Sequence, residues 1–117
     1  MIIKLANAEH TEYSKLISKL IDESAKIRGT GIARRSPTYI KEKILSGNSV
    51  IALDENNFAG FCYIEAWEHG EYVAHSGLIV SPKYRNMGIG KNIKKRVLEL
   101  SLKKYPKNKI FGITTGM

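Results

Sequence analysis

The sequence predicts an α+β fold, and three observations carry that prediction. Three short apolar runs, Ser49 to Leu53, Ala59 to Trp67 and Tyr72 to Val80, follow one another with turn residues between them, which is the pattern of an antiparallel meander. Residues 11–27 and 89–104 instead space their apolar side chains at helical intervals. The second of these helices lies between two strands, Tyr72 to Val80 and Lys109 to Thr115, and so provides a parallel crossover at the end of the chain. The element order reads β-α-α-β-β-β-α-β.

Each element has a local cause. Ile2, Ile3 and Leu5 open a short strand, and Asn7 to His10 is polar and reads as a turn. Tyr13, Leu16, Ile17, Leu20, Ile21 and Ser24 line one face of an amphipathic helix, which Gly29-Thr30-Gly31 ends. Ser36-Pro37 starts the second helix: serine caps the free amides, and proline fits a first turn that needs no donor. Tyr39, Ile40, Ile44 and Leu45 form its apolar stripe, and Gly47 supplies a left-handed stop. Asp54 to Asn57 and Glu68 to Glu71 are turns between strands. Pro82 closes the meander because it cannot donate to a ladder. Ile93, Val97, Leu98, Leu100 and Leu102 give the last helix its apolar side, Tyr105-Pro106 stops it, and Ile110, Phe111 and Ile113 are the apolar residues of the final strand.

With 117 residues, the chain is expected to form one domain over residues 1–117. An apolar share of 43% suits a packed core. No apolar run approaches the ~20 residues that cross a bilayer, and the N-terminus lacks the signal-peptide pattern. The expectation is a soluble, cytoplasmic protein with no membrane partner. The single cysteine, Cys62, excludes an intramolecular disulfide and lacks the Cys/His partners of a zinc site. It reads as a small buried strand residue, and no metal site is expected.

The formal net charge of +8 favours an anionic partner. The basic residues crowd into the last third of the chain. Lys94, Lys95, Lys103 and Lys104 read as a solvated helix face, whereas Lys83, Arg85 and Lys91 flank a glycine-bearing loop and suit anion binding. A nucleic-acid partner is a weaker alternative, because the basic residues are not interleaved with aromatics and no nucleic-acid motif occurs.

The informative unit is the strand Tyr72 to Val80, the loop Ser81 to Gly90 and the helix that starts at Ile89. A helix start leaves backbone amides unpaired and carries partial positive charge. Gly88 and Gly90 remove side chains, so a phosphate oxygen can approach those amides. The P-loop pattern GxxxxGK[ST] is absent. The dinucleotide fingerprint is also absent, since the preceding strand belongs to a meander and not to a repeated βαβ unit.

The run GLIVSPKYRNMGIGKNIKKRVLELSLKKYP resembles the cofactor-binding motif of the GNAT N-acetyltransferases. That motif has an apolar strand end (here Gly77 to Val80), an xP-x-[YF] link (Ser81 to Tyr84), then [QR]-x-x-G-[ILY]-[GA] (Arg85 to Gly90) and a helix. The element order before it agrees as well. The resemblance implies a mixed sheet, an antiparallel meander followed by a β-loop-α-β crossover, with helices on both faces. It implies acetyl-CoA as co-substrate. The backbone of Leu78, Ile79 and Val80 would pair with the pantetheine arm. The amides of Arg85, Asn86, Met87, Gly88, Ile89 and Gly90, with Lys91 beside them, would hold the pyrophosphate.

The implied reaction is direct attack of a primary amine of a small molecule or peptide on the thioester, with a backbone amide of Leu78–Val80 holding the oxyanion. The amine must first be neutral. Candidate bases are Glu65 on the second meander strand and His75 on the third, unless ordered water serves. Strand parity groups His75 with Val73, Gly77 and Ile79, opposite Ala74, Ser76 and Leu78. Phe61, Tyr63 and Trp67 share a face with Glu65 and read as core, or as one wall of an acceptor pocket. Thr30, Arg34 and Arg35 lie between the first two helices, where the family often contacts its acceptor; two arginines there suit an amino-acid carboxylate.

The chain departs from the family pattern at its end. Members usually continue with a further helix and strands, including a tyrosine that protonates the thiolate, and no residue here takes that role. The strand Ile110–Ile113 would then lie at an open edge. This predicts a homodimer through that edge, or a fragment of a longer protein, with weak or absent turnover beside intact cofactor binding. A non-catalytic acyl-CoA-binding module is therefore the main alternative to an enzyme.

Overall fold

The computed structural model describes residues 1–28, 36–67, 72–105 and 109–112. Four strands run antiparallel in sequence order: β1 (Ile2–Leu5), β2 (Ser49–Asp54), β3 (Asn57–Trp67) and β4 (Tyr72–Val80). A fifth, β5 (Lys109–Gly112), joins β4 in parallel, so the sheet order is β1-β2-β3-β4-β5. Helices α1 (Ser14–Arg28) and α2 (Pro37–Leu45) precede β2, and α3 (Ile89–Lys104) makes the crossover from β4 to β5. The expected mixed α+β sheet is observed. The final strand is described to Gly112; residues 113–115, expected to extend it, lie outside the described residues.

Each face of the sheet carries its own core. On one face Ile17 and Ile21 of α1 and Ile40 and Ile44 of α2 pack on Ile51, Phe61 and Tyr63. On the other, Ile89, Ile93 and Val97 of α3 pack on Val50, Ala52, Cys62 and Ile64. Alternation along β3 explains this division: Phe61 and Tyr63 face α1 and α2, while Cys62 and Ile64 face α3. Gly60 sits under α3, where a Cβ would lie 2.5 Å from Ile93 Cδ1.

Local chemistry sets the helix ends. Asn7 and His10 do more than turn the chain. They cap a 3₁₀ helix, Ala8–Tyr13: Glu9 N donates to Asn7 Oδ1 at 2.9 Å, and Asn7 N donates to His10 Nδ1 at 3.0 Å. Hence α1 begins at Ser14, later than its periodicity indicates. Ser36 caps α2 as expected, its Oγ accepting from Tyr39 N at 3.1 Å, and Gly47 adopts φ +72° just beyond the helix.

The apolar stripe of α3 differs from expectation. Ile89, Ile93, Val97 and Ser101 face the sheet, whereas Leu98 and Leu102 are exposed. Steps of four residues keep one face on the sheet, and a residue one place further on is rotated ~100° away. A serine therefore occupies a position that hydrophobicity alone would assign to leucine.

Candidate active site

The cofactor-type loop is held by neighbours on both sides. Ser81 N donates to Ala59 O at 2.8 Å, which carries the β3–β4 ladder one step past β4. Pro82–Tyr84 then forms a single 3₁₀ turn, closed by Tyr84 N donating to Ser81 O at 2.8 Å. Tyr84 is buried, and its hydroxyl donates to Asp54 Oδ2 at 3.0 Å. Burial, with the hydrogen bond to Asp54, pushes that hydroxyl's pKa up.

Beyond Tyr84 the backbone turns through Asn86 at φ +66° and Gly88 at φ +75°, the latter being the N-cap of α3. Gly88 offers no side-chain cap. Among the described residues, no backbone carbonyl accepts from the amides of residues 86–91; the first amide to find one is Asn92 N, on Gly88 O at 3.3 Å. A continuous run of donors thus meets the positive end of a helix of 16 residues. A Cβ at Gly88 would meet nothing within 4 Å, so the space beside Gly88 is open. Arg85 reaches back with its Nε donating to Val80 O at 3.4 Å, Lys83 Nζ stands 5.6 Å from the Tyr84 ring centroid, and Lys91 is exposed. The donor set fits a pyrophosphate or a similar anion.

The pairing of the strand leading into this loop changes along its length. Pairing of β4 with β5 runs from Tyr72↔Lys109 to His75↔Gly112. From Ser76 to Val80, β4 pairs only with β3 among the described residues.

The same stretch contains a bulge that corrects the strand parity. Phe61 pairs with Ile79 but Tyr63 pairs with Ser76, so β4 spends one residue more than β3 over this interval. Gly77, at φ +66°, lies in the bulge, and a Cβ there would stand 2.2 Å from Tyr63 Cε1. His75 and Ile79 consequently lie on opposite faces, not on one. Ile79 packs in the α1/α2 core, while His75 faces α3 along with Leu78 and Val80.

The two candidate bases are also separated by the sheet. His75 is half-buried, and its Nε2 hydrogen-bonds Ser101 Oγ at 2.7 Å. Burial, with the Lys94 ammonium, lowers its pKa. Glu65 lies on the α1/α2 face, with Oε2 3.3 Å from Lys43 Nζ. Lys43 also donates to Ile64 O at 3.3 Å and lies 5.5 and 5.6 Å from the ring centroids of Tyr39 and Tyr63. Tyr63 and Phe61 are fully buried core residues; the side chain of Trp67, and Thr30, Arg34 and Arg35, lie outside the described residues. Cys62 is buried with its thiol pKa pushed up to about 12 by burial, so it is no nucleophile.

Lys43, Ser101 and Asp54 are partners that sequence reasoning does not single out. Ser101 leaves a faint signal, a polar residue inside an apolar stripe. Lys43 follows Ile40 by one helical turn and leaves less.

The sequence pattern of the Acetyltransferase (GNAT) family matches residues 19–111, and the chain belongs to that family. Solved structures share its fold. The protein Rv2747 of Mycobacterium tuberculosis, solved with CoA, matches with a TM-score of 0.73 at 16% identity, over 97% of this chain and 64% of that one. N-acetylglutamate synthase of Neisseria gonorrhoeae, solved with coenzyme A and N-acetyl-glutamate, matches with a TM-score of 0.74 at 18% identity, over 95% of this chain and 24% of that one. YncA of Salmonella typhimurium, described as a putative acetyltransferase with its cofactor acetyl-CoA, matches with a TM-score of 0.69 at 15% identity, over 96% and 68%. The chain thus spans less than two thirds of the first two. Comparison with curated proteins finds no match. No helix among the described residues is long and apolar enough to cross a membrane.

Proposed function

We propose that the protein is an acetyl-CoA-dependent N-acetyltransferase acting on a primary amine of a small molecule, with an amino acid as the favoured acceptor class. The observation that carries this reading is a continuity: β4, which from Ser76 to Val80 pairs only with β3 among the described residues, runs directly into the amides of residues 86–91, from which no described backbone carbonyl accepts. An extended arm ending in a pyrophosphate matches that sequence of donors. Leu78, Ile79 and Val80 would pair with the arm. The amides of residues 86–90, with the side chains of Arg85 and Lys91, would take the phosphates; the Arg85 amide, expected among them, donates to Pro82 O instead.

The acceptor amine must lose a proton before it attacks the thioester carbonyl, and a backbone amide of Leu78–Val80 would hold the oxyanion that forms. Of the two candidate bases, Glu65 fits better. It lies on the α1/α2 face, paired with Lys43, and Thr30, Arg34 and Arg35 are the proposed acceptor contacts. His75 is turned toward α3 and engaged by Ser101, which suits a packing role. A homodimer across the β5 edge and a cytoplasmic location complete the proposal.

Two measurements test it together. Calorimetric titration with acetyl-CoA should give saturable binding, and thiol release with a panel of amino acids and plain amines should depend on the acceptor. Binding without release under any acceptor favours the second reading, a non-catalytic acyl-CoA-binding module. Absence of binding refutes both.

A further inference from the structure

We infer that Asp54 is a positioning residue for the anion-binding loop and acts through Tyr84, an inference that rests on the function proposed above. Asp54 ends β2, on the far side of a hairpin from the cofactor-type loop. Its Oδ2 accepts from the hydroxyl of Tyr84, the last residue of the 3₁₀ turn and the residue immediately before Arg85. The two are 30 positions apart in sequence. The start of the turn is held to β3 by Ser81 N donating to Ala59 O at 2.8 Å, whereas its end is otherwise held by packing of the Tyr84 ring and by short-range bonds, the longest of them the 3.4 Å contact from Arg85 N to Pro82 O. The Tyr84–Asp54 bond thus ties the origin of the free amides to the rigid sheet. The same hairpin is tied on its other side, where Asn56 O accepts from Tyr13 OH at 2.9 Å. It stands between the start of α1 and the start of the loop.

The charge of Asp54 gives this role a distinctive sign. A carboxylate near a pyrophosphate site repels the ligand. If Asp54 acted only as a charge, removing it would tighten anion binding. If it acts by holding Tyr84, removing it loosens the loop and weakens binding even though a like charge is gone. The two effects oppose each other, so the direction of change separates them. Asparagine removes the charge but keeps an oxygen that can accept from the tyrosine hydroxyl.

Calorimetric titration with CoA therefore compares the parent with Asp54→Ala, Asp54→Asn, Tyr84→Phe and the Asp54→Ala/Tyr84→Phe pair. The expected result is a rise in Kd of roughly three- to tenfold for Asp54→Ala and for Tyr84→Phe, the worth of one hydrogen bond. The double variant should be no weaker than either single one, and Asp54→Asn should bind at least as tightly as the parent. Amide hydrogen exchange across residues 86–91 should quicken in Asp54→Ala and Tyr84→Phe even without ligand. Unchanged or tighter CoA binding in Asp54→Ala, beside normal binding by the parent, overturns the positioning role alone. A parent that binds no CoA overturns the proposed function and this role with it.

Discussion

Ser101 Oγ lies 2.7 Å from His75 Nε2, joining the last turn of α3 to β4 at the last described rung between β4 and β5, His75 with Gly112. Ser101 is fully buried. The bond marks the point beyond which β4 pairs with β3 alone among the described residues. Replacing Ser101 by Ala removes the hydroxyl and leaves a half-buried imidazole to find other partners. One hydrogen bond is worth about 1 kcal/mol, partly offset by the better helix propensity of alanine, at most ~0.5 kcal/mol. Urea denaturation should give a small net loss; a stabilised Ser101→Ala protein would show the contact to be incidental.

Stability should fall on acidification from the neutral range. His10 is buried and accepts a backbone hydrogen bond at Nδ1, and burial, with the Lys4 charge, lowers its pKa below the ordinary 6.5. Burial and Lys94 lower that of His75. For both, the folded value lies below the unfolded one. The fold therefore keeps its full advantage above about 6.5 and loses it as pH falls through the unfolded value toward the folded values. Thermal unfolding at pH 7.5 and 5.5 should show the drop, and His10→Asn should flatten part of it. A midpoint that rises as pH falls would contradict the sign.

The glycines of the loop should separate by cause. Gly88 sits at φ +75°, where alanine costs ~1–2 kcal/mol whatever the space. At Gly90 a Cβ would meet only Val80 Cγ2, at an ordinary 3.6 Å. Inside a helix alanine gains up to ~1 kcal/mol over glycine. Gly88→Ala should melt lower than the parent and Gly90→Ala no lower. Any loss of CoA affinity in Gly90→Ala then reports ligand approach rather than folding.

Gly77→Ala should be the most damaging of the glycine changes. A Cβ there would collide with the Tyr63 ring at 2.2 Å, in a backbone at φ +66°. Overpacking and the left-handed conformation together suggest a loss of about 3 kcal/mol or more. At Gly60 a Cβ would meet the end of a side chain, Ile93 Cδ1 at 2.5 Å, and Ile79 O at 3.1 Å, without the left-handed backbone of Gly77, so Gly60→Ala should cost less. Chemical denaturation ranks the two, and the reverse order would mean that the bulge relaxes freely.

Gly77 also marks where reading the sequence stops. The meander, the Ser36 cap, the Gly47 stop and the bounds of α3 follow from nearest-neighbour chemistry and periodicity, so they are legible. The face that His75 presents is not, because one extra residue in β4 inverts the parity of everything beyond it. A glycine inside a strand hints at a bulge but does not say which strand carries the extra residue. The Lys43–Glu65 and Tyr84–Asp54 contacts are hidden for a different reason. They join elements far apart in sequence, and no local pattern pairs them.

The Lys43–Glu65 pair offers the sharpest test of which group handles the acceptor's proton. The side chains are 15% and 26% exposed and 3.3 Å apart, so the pair is only partly screened by water. Lys43→Met keeps the apolar stem against Tyr39 and Tyr63 and deletes the cation, which should cost about 1–2 kcal/mol of stability, less than for a fully buried pair. Its effect on rate is more telling. Lys43 Nζ is the cation beside the Glu65 carboxylate, and deleting an opposite charge disfavours the ionised form. If Glu65 takes the proton, the acid limb of kcat/KM against pH should move to higher pH in Lys43→Met and disappear in Glu65→Gln, with CoA affinity unchanged in both. His75→Gln should leave that limb where it is. An acid limb that ignores Lys43→Met and follows His75→Gln would assign the proton to the α3 face and remove Glu65 from the reaction.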